Sequence, residues 1–308
     1  MSGRPGVPAR AVVFAYHDVG VRCLQVLLAG GVEVALVLTH ADDAAERIWF
    51  QSVAALCRER GIDYLLCDDV NDPALLERVR ALAPDLLFSF YFRRMLPAAL
   101  IALAPAFNMH GSLLPQFRGR APVNWAVLHG AHQTGATLHA MTERPDAGPI
   151  VAQSAVPILP DDTAPEVFSK VTVAAETTLW RALPGLLDGS APRLPNRLAE
   201  GSYFGARSPD DGRIDWNADA QAVYNLVRAV APPYPGAFTE LGGCRLVVAR
   251  ARLAPGRWAA GHAPGLAVAG AGIFGVCGDG RALAISRLTG PDGDLTASAL
   301  IPLLDSPP

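Results

Sequence analysis

The first half of the chain alternates short, continuously apolar runs with stretches of helical periodicity. Apolar runs of this kind are typical of strands covered on both faces, and their alternation with helices predicts a parallel, doubly wound α/β sheet. The predicted strands are 11–16, 32–39, 62–67, 86–90 and 106–110, and the predicted helices are 19–29, 45–60 and 73–82. Ligands of such sheets bind beyond the carboxyl ends of the strands, so polar residues at those ends are the first candidates for a site.

The second half of the chain has a different pattern. Helices are predicted at 163–187 and 218–231, and short β-like runs separated by glycines follow at 244–252, 266–269, 273–277 and 283–288. Short strands with frequent turns favour a small barrel or sandwich. A chain of 308 residues is long enough for two domains. We expect an α/β domain at 1–190, a linker at 191–202 and a smaller β domain at 203–308.

The composition argues against a nucleic-acid partner and against membrane insertion. Lys and Arg total 26 against 29 Asp and Glu, the net charge is −3, and Lys170 is the only lysine. A chain of this kind has no extended positive field. Its apolar runs are shorter than the roughly 20 residues that span a bilayer. Five widely spaced cysteines without a C-x-x-C pair predict a reduced, cytoplasmic protein without a cysteine-built metal site.

A glycine pattern late in the chain does not predict a dinucleotide cofactor. Gly270, Gly272 and Gly275 match G-x-G-x-x-G, but a dinucleotide site needs this pattern between a strand and a helix. Here the pattern leads into Cys277-Gly278-Asp279-Gly280, which does not start a helix. We interpret these glycines as turn residues around one strand and predict neither NAD nor FAD.

The predicted strand at 106–110 ends in two polar residues that suit acyl-transfer chemistry. Alternation along a strand places Asn108 and His110 on the same face. A carboxamide can donate to a developing oxyanion, and an imidazole can carry a proton near neutral pH. A purely structural hydrogen-bonded pair fits the same spacing. Asp146 follows the β-like stretch 136–141 and would raise the pKa of a neighbouring imidazole, although an acid before Ala147-Gly148 also fits a turn.

The pattern Asn108-x-His110-x-Ser-Leu-Leu-Pro, followed by Asp146-x-Gly, resembles the signature of the 10-formyltetrahydrofolate-dependent formyltransferases. The resemblance covers almost the whole chain, and residues 232–238 are similar to the P-x-P-G-A stretch near the family's second domain. Residues 15–20, 89–93 and 110–125 look most like the branch that acts on UDP-4-amino-4-deoxy-L-arabinose in lipid A modification and polymyxin resistance. In that branch the enzyme is commonly fused to a decarboxylase, which implies such a domain or partner, in the same protein or encoded elsewhere.

The resemblance also implies roles for individual residues. It implies a Rossmann-like N-terminal domain, an OB-like C-terminal barrel and 10-formyltetrahydrofolate as co-substrate, without a metal. Asn108 would hold the oxyanion, His110 would move the proton, and Asp146 would raise the pKa of His110. The folate would lie along eight further residues, namely Arg94, Met95, Leu96, Arg120, Thr142, Glu143, Arg144 and Pro145.

Several alternatives remain open at this point. The same three catalytic residues would serve a methionyl-tRNA formyltransferase, although the charge of the chain disfavours it, or a formyltransferase for another nucleotide-linked amino sugar. A non-catalytic module that binds oligonucleotides is a further alternative. His129 and His132 are spaced like metal ligands with His139 nearby, but Gly130 interrupts a helix between the first two, which disfavours a metal site. His17 and Asp18 are interpreted as loop-capping residues.

Overall fold

The computed structural model of the 308-residue chain describes residues 8–43, 46–259 and 261–305. Within them the chain forms two compact units. One comprises the chain up to Pro122 together with 133–156 and 169–205; the other comprises 123–132, 157–168 and the chain from Ala206 onward. The division into domains at 1–190 and 203–308 stays a prediction.

The first unit is built around a seven-stranded sheet. The elements up to residue 205 are, in chain order, β1 (Arg10–Ala15), α1 (His17–Ala29), β2 (Glu33–Thr39), α2 (Val53–Arg60), β3 (Tyr64–Leu66), α3 (Pro73–Ala81), β4 (Leu86–Phe90), α4 (Ala98–Ile101), β5 (Ala106–His110), β6 (Arg118–Gly119), α5 (Pro122–Leu128), β7 (Gln133–Ala140), β8 (Ile150–Pro157), α6 (Ala164–Asp188) and β9 (Tyr203–Phe204).

The strand order is β3-β2-β1-β4-β5-β7-β8. Strands β1 to β5 pair in parallel, and β7 pairs with β5 antiparallel. The sheet is therefore mostly parallel, which confirms the predicted α/β class. The order reverses between β1 and β4, so the loops after these strands diverge and leave room for a ligand at the carboxyl ends.

Burial explains why these apolar runs became strands. All five residues of β4 are buried, as are five of the six residues of β1. One face of the sheet packs against α3 and α4 through a cluster that includes Phe14, Leu38, Val79 and Leu100. Side chains buried on both faces of a strand give the continuous apolar runs seen in the sequence.

The prediction of a helix at 45–60 was wrong over its first half. The helix α2 begins at Val53, where the hydroxyl of Ser52 accepts a hydrogen bond from the N–H of Ala55. The preceding residues are held in a loop by long-range contacts. Arg93 forms a bidentate pair with Glu46 at 2.7 Å, and the ring of Phe50 stacks on the ring of His17. Tertiary contacts of this kind override helix propensity.

The second unit contains an antiparallel sheet. The elements after residue 205 are α7 (Ala220–Ala229), β10 (Ala237–Leu241), β11 (Cys244–Leu253), β12 (Gly265–Ala269), β13 (Gly272–Val276), β14 (Ala282–Gly290), β15 (Gly293–Leu295) and α8 (Ala297–Leu304). The order is β10-β11-β14-β13-β12, with β15 on β14, and every pair is antiparallel. This open half-barrel packs its inner face on α7 and α8, and the predicted β class is confirmed.

The glycine pattern lies in this half-barrel. Gly270, with φ at +59°, turns the chain between β12 and β13, and Gly272 and Gly275 lie on β13. The pattern therefore belongs to a β-hairpin, as expected. No helix among the described residues is both long and apolar enough to cross a membrane.

Candidate active site

Strand β5 places Asn108 and His110 side by side at the carboxyl edge of the sheet. In the register of the sheet, Asn108 lies opposite His139 of β7, and His110 lies opposite Thr137. Asn108 is partly exposed, whereas His110 is only 6% exposed. The two side chains share one face of the strand, as predicted from their spacing.

The imidazole of His110 has an acceptor at each ring nitrogen. Its Nε2 lies 2.9 Å from the carbonyl oxygen of Phe117, and its Nδ1 lies 3.4 Å from Oδ1 of Asp146. A carbonyl oxygen can only accept, so Nε2 carries a proton and Nδ1 is the nitrogen that exchanges one. The other carboxylate oxygen, Oδ2 of Asp146, accepts the N–H of Gly119 at 2.9 Å. The structure thus brings together the three residues that the sequence indicated.

The charges of this pair depend on burial and on their mutual contact. Burial lowers the pKa of His110, and the Asp146 carboxylate and the Phe117 carbonyl oppose this lowering only in part. Burial alone would raise the pKa of Asp146, but His110, His139 and the N–H of Gly119 hold it well below its usual range. The expectation that Asp146 raises the pKa of His110 has the correct sign for the pair, yet burial outweighs it.

His139 contacts both Asn108 and Asp146, although the sequence suggested it only as a metal ligand. Its Nε2 lies 3.1 Å from Nδ2 of Asn108 and 3.6 Å from Oδ1 of Asp146, and its side chain is 3% exposed. The signal that could have found it is alternation on β7, which places Thr137 and His139 on one face of the sheet, the face that also holds Asn108 and His110.

The loop after β5 is held by the buried hydroxyl of Thr137 and by the amide of Gln153. The hydroxyl of Thr137 donates to the carbonyl of Ser112 at 2.6 Å and accepts the N–H of Leu114 at 3.1 Å. Gln153 of β8 donates to the carbonyl of Leu114 and to the hydroxyl of Thr137, both at 2.9 Å. These bonds fix residues 112–114, which directly follow His110 and β5.

Backbone strain concentrates around the site. Six non-glycine residues among those described have positive φ, and five of them are close to the site in sequence: His17 opens α1 directly after β1, Tyr91 follows β4, Phe117 and Ala121 follow β5, and Asp146 lies between β7 and β8. Such conformations cost about 1–3 kcal/mol each and persist where the surroundings over-determine them. The side chain of Tyr91 packs closely against Gly111, since a Cβ at position 111 would overlap the hydroxyl oxygen of Tyr91.

An aromatic cluster follows β1 and β4. The ring of His17 lies 3.8 Å from that of Phe50 and 4.8 Å from that of Trp49, between ring centroids. Arg93 lies over the ring of Tyr16. Burial lowers the pKa of His17 to about 3, so its ring is neutral. His17 therefore packs in an aromatic cluster next to the point where the strand order reverses.

The predicted folate residues lie in three loops. Arg94 and Met95 are exposed, but Leu96 is buried and its side chain belongs to the core. Arg120 is exposed, and its Nη2 donates to the carbonyl of Arg93 at 3.4 Å, which joins two of these loops. The third loop holds an exposed stretch in which the hydroxyl of Thr142 donates to the carbonyl of Arg144, with Glu143 exposed and Pro145 partly exposed. Folate contacts at these positions stay a prediction.

The described residues contain no group of three or more His, Cys, Asp or Glu side chains arranged to hold a metal ion. His129 and His132, which were weighed as ligands, are both exposed. The titratable side chains in contact at the site are those of His110, His139 and Asp146.

Asn108 and His110 place an amide donor and a buried imidazole on one face of β5, an arrangement that suits a group-transfer enzyme. Residues 12–183 match the family model described as formyl transferase, and residues 207–299 match the model of the formyl transferase C-terminal domain. The chain belongs to the formyl transferase family, and it is a formyltransferase.

Solved structures share this fold. The N-formyltransferase from Helicobacter canadensis, described in complex with folinic acid and dTDP-3-aminofucose, has a TM-score of 0.72 at 16% identity, over 94% of this chain and 100% of that one. The sugar 3N-formyl transferase WlaRD, described with dTDP and 5-N-formyl-THF, has a TM-score of 0.71 at 17% identity, over 94% and 99%. Glycinamide ribonucleotide transformylase 1 from Symbiobacterium toebii has a TM-score of 0.52 at 28% identity, over 60% and 90%.

Proposed function

We propose that this formyltransferase moves the formyl group of 10-formyltetrahydrofolate to the amine of a nucleotide-linked amino sugar, and that the sugar is UDP-4-amino-4-deoxy-L-arabinose. The observation that carries the chemistry is the placement of Asn108, His110 and Asp146 around one point at the edge of the sheet. The folate supplies a formyl carbon that is bonded to nitrogen and open to attack by an amine.

Asn108 is positioned to stabilise the charge that develops during attack. As the amine adds to the formyl carbon, the carbonyl oxygen gains negative charge. One N–H of the Asn108 amide is directed to Nε2 of His139, and the other can donate to that oxygen. One preorganised donor of this kind is worth roughly 3–4 kcal/mol.

His110 moves the proton in this proposal. Because burial lowers its pKa, the ring is largely neutral near pH 7 and can accept the proton that the attacking amine loses. The Asp146 carboxylate, whose Oδ1 lies 3.4 Å away, stabilises the resulting imidazolium. The proton then goes to the departing folate nitrogen. Such a relay contributes about 10²–10⁴ to the rate.

The co-substrate contacts are part of the proposal. Folinic acid and 5-N-formyl-THF are named with the Helicobacter canadensis enzyme and with WlaRD, respectively, which supports a folate in this fold. We propose that it lies along Arg94, Met95 and the backbone of Leu96, reaches Arg120, and is covered by residues 142–145.

The net charge of the chain and the solved structures that share its fold both support an amino sugar as the acceptor. Sugar N-formyltransferases share the fold over almost the whole chain, which supports an amino sugar. A tRNA acceptor needs many phosphate contacts, and a chain with a net charge of −3 and one lysine offers few. The choice of UDP-4-amino-4-deoxy-L-arabinose rests on the resemblance of residues 15–20, 89–93 and 110–125. A cytoplasmic location, a role in lipid A modification and polymyxin resistance, and a decarboxylase domain or partner follow from that choice.

The test is a formyl-transfer assay with one panel of acceptors. The full chain is incubated with 10-formyltetrahydrofolate and each of UDP- and dTDP-linked amino sugars, glycinamide ribonucleotide and methionyl initiator tRNA. We expect UDP-4-amino-4-deoxy-L-arabinose to give the highest kcat/KM. The variant His110→Ala should lose turnover, and His132→Ala, at an exposed histidine, should keep it. A higher kcat/KM for another amino sugar would replace the named sugar, and transfer to the tRNA or to the ribonucleotide alone would overturn the acceptor class.

A further inference from the structure

Residues 194–204, which overlap the predicted linker at 191–202, lie in the same compact unit as His110. Leu194 pairs with Ile150 through two backbone hydrogen bonds, at 2.9 and 2.8 Å, at the start of β8. Further along, β9 pairs with β6 in parallel, which aligns Tyr203 with Arg118. Residues 194–204 thus run beside both loops that supply partners to His110.

One of these loops is clamped by Asn196. Asp146 has a φ of +50°, a left-handed conformation that an aspartate tolerates only at a cost. The Nδ2 group of Asn196 donates to the backbone carbonyl of Asp146 at 2.9 Å and to that of Gly148 at 3.2 Å. The bridge between Leu194 and Ile150 fixes the register that brings Asn196 to these carbonyls.

The second loop is clamped by Ser202. Phe117, whose carbonyl faces Nε2 of His110, has a φ of +53°. The hydroxyl of Ser202 accepts the N–H of Phe117 at 2.9 Å, and the carbonyl of Ser202 accepts the N–H of Arg118 at 3.0 Å. Phe117 and Asp146, which face the two ring nitrogens of His110, therefore both have a left-handed backbone, and each is held by a side chain from 194–204.

We propose that Asn196 and Ser202 are positioning residues that hold Asp146 and Phe117 against the two ring nitrogens of His110. Asn196 acts on the Nδ1 side of the ring through Asp146. Ser202 acts on the Nε2 side through Phe117. Neither side chain needs to touch a substrate for this role, which rests on the proposed function only for its effect on turnover.

The role of Asn196 depends on the N–H groups of its side-chain amide. Its Nδ2 faces two carbonyl oxygens, so a side chain without N–H groups leaves both carbonyls without this donor. Leucine has the same branched heavy-atom skeleton as asparagine, with two methyl groups in place of the amide, so Asn196→Leu removes the donor and adds no charge. Glutamine keeps the donor on a longer side chain. Asn71 lies on the surface of the same unit and has its amide in a local bond to Asp69, which makes Asn71→Leu the matched control.

The first measurement uses the full chain without any substrate. The ring ¹⁵N signals of His110, identified by their loss in His110→Ala, are followed by NMR against pH. The charged or titratable groups that face the ring are Asp146, which raises its pKa, and His139, which lowers it. If Asp146 is released, its contribution weakens, so we expect Asn196→Leu to lower the pKa of His110 by about one unit. Asn71→Leu should titrate as the unchanged chain does.

The second measurement is steady-state formyl transfer. We expect kcat to fall about 10- to 100-fold in Asn196→Leu with KM nearly unchanged, because the defect lies in geometry at the reacting groups. Asn196→Gln should recover part of the loss. Urea denaturation checks that Asn196→Leu is folded. If it is not, Ser202→Ala, which removes only one hydroxyl, tests the contact of Phe117 with Nε2 of His110. In this variant kcat should also fall while KM stays the same.

The outcomes separate this inference from the proposed function. An unchanged His110 titration in a folded Asn196→Leu chain overturns the role of Asn196, whatever the acceptor is. A fall in kcat with an unchanged titration does the same, because the effect then bypasses Asp146. If the original chain transfers formyl to none of the acceptors, the proposed function fails, and the NMR titration still decides the positioning role.

Discussion

The amide of Asn108 and the ring of His139 lie directly opposite each other on β5 and β7, with Nδ2 and Nε2 3.1 Å apart. Nδ1 of His139 lies 2.9 Å from the carbonyl oxygen of Ala140, so Nδ1 carries the ring proton. With the ring proton on Nδ1, Nε2 can accept from the Asn108 amide. This bond directs the nitrogen of the carboxamide, rather than its oxygen, toward the side where Asp146 lies.

Replacement of His139 should therefore misdirect Asn108. In His139→Leu the amide loses its acceptor and can turn its oxygen toward the formyl oxygen, which removes the donor. We expect kcat to fall about 100-fold, with a smaller change in KM, as for the loss of one oxyanion donor. Steady-state kinetics of formyl transfer measure this. The control His132→Leu, at an exposed histidine, should retain kcat; equal kcat in both variants would contradict the role of His139.

Loss of the Asp146 charge should change the titration of His110. Burial lowers the pKa of His110 and Asp146 opposes it, so Asp146→Asn lowers that pKa further. The imidazolium formed during transfer also loses its counter-charge, and we expect kcat to fall about 10²–10⁴-fold. The pH dependence of kcat/KM and the NMR titration of His110 check both effects. A pKa of His110 that stays the same or rises would show that the pair does not interact as described.

The glycine at position 119 is required by its conformation and by its neighbour. Its φ is +95°, its N–H binds Asp146, and a Cβ there would overlap the carbonyl oxygen of Phe204. Gly119→Ala should lower the free energy of unfolding by more than about 2 kcal/mol and reduce kcat. Gly31→Ala is the control, because Gly31 also has a positive φ, +75°, but open space around its Cβ position.

Urea denaturation and kinetics separate the two glycine variants. The control should cost about 1 kcal/mol, the cost of a left-handed alanine, and leave kcat unchanged. Similar losses of stability and activity in both variants would mean that the contact with Phe204 and the bond to Asp146 contribute nothing.

The stability of the chain should fall in acid partly through His17. Its pKa in the folded chain is about 3 against 6.5 when unperturbed, because the ring is buried and lies near Arg93. Below pH 6.5 the unfolded chain binds a proton that the folded chain does not, so this group removes about 1.4 kcal/mol of stability per pH unit until pH nears 3. His17→Asn, which tolerates the left-handed backbone, should flatten this slope. Urea denaturation between pH 7 and 4.5 measures it; parallel slopes would refute the assignment.

Local signals in the sequence were sufficient for most of the sheet. The strands β4 and β5 were predicted with their observed bounds, because buried strands are continuous apolar runs. The first half of the predicted helix at 45–60 failed because Glu46 and Phe50 are held by Arg93 and His17, which are distant in sequence. Propensity contains no information on such contacts.

The candidate site divides in the same way. Alternation on one strand was enough to pair Asn108 with His110, and the family resemblance added Asp146. Asn196 and Ser202 could not be found from spacing, because their function depends on backbone carbonyls and N–H groups that only the folded loops bring near. The left-handed conformation of Phe117 has no sequence signal, and that of Asp146 has only a weak one, because aspartate adopts a positive φ more often than most residues but still uncommonly.

The pairing of β6 with β9 has a practical consequence for engineering. A chimera that exchanges the C-terminal half for that of another family member would be joined most naturally at residue 190, where the helix α6 has ended. That junction would replace the strip of chain at residues 194–204, whose hydrogen bonds hold the loops around His110. A graft joined after Phe204 keeps the strip with its own catalytic half, and it is the better crossover point for recombining such enzymes.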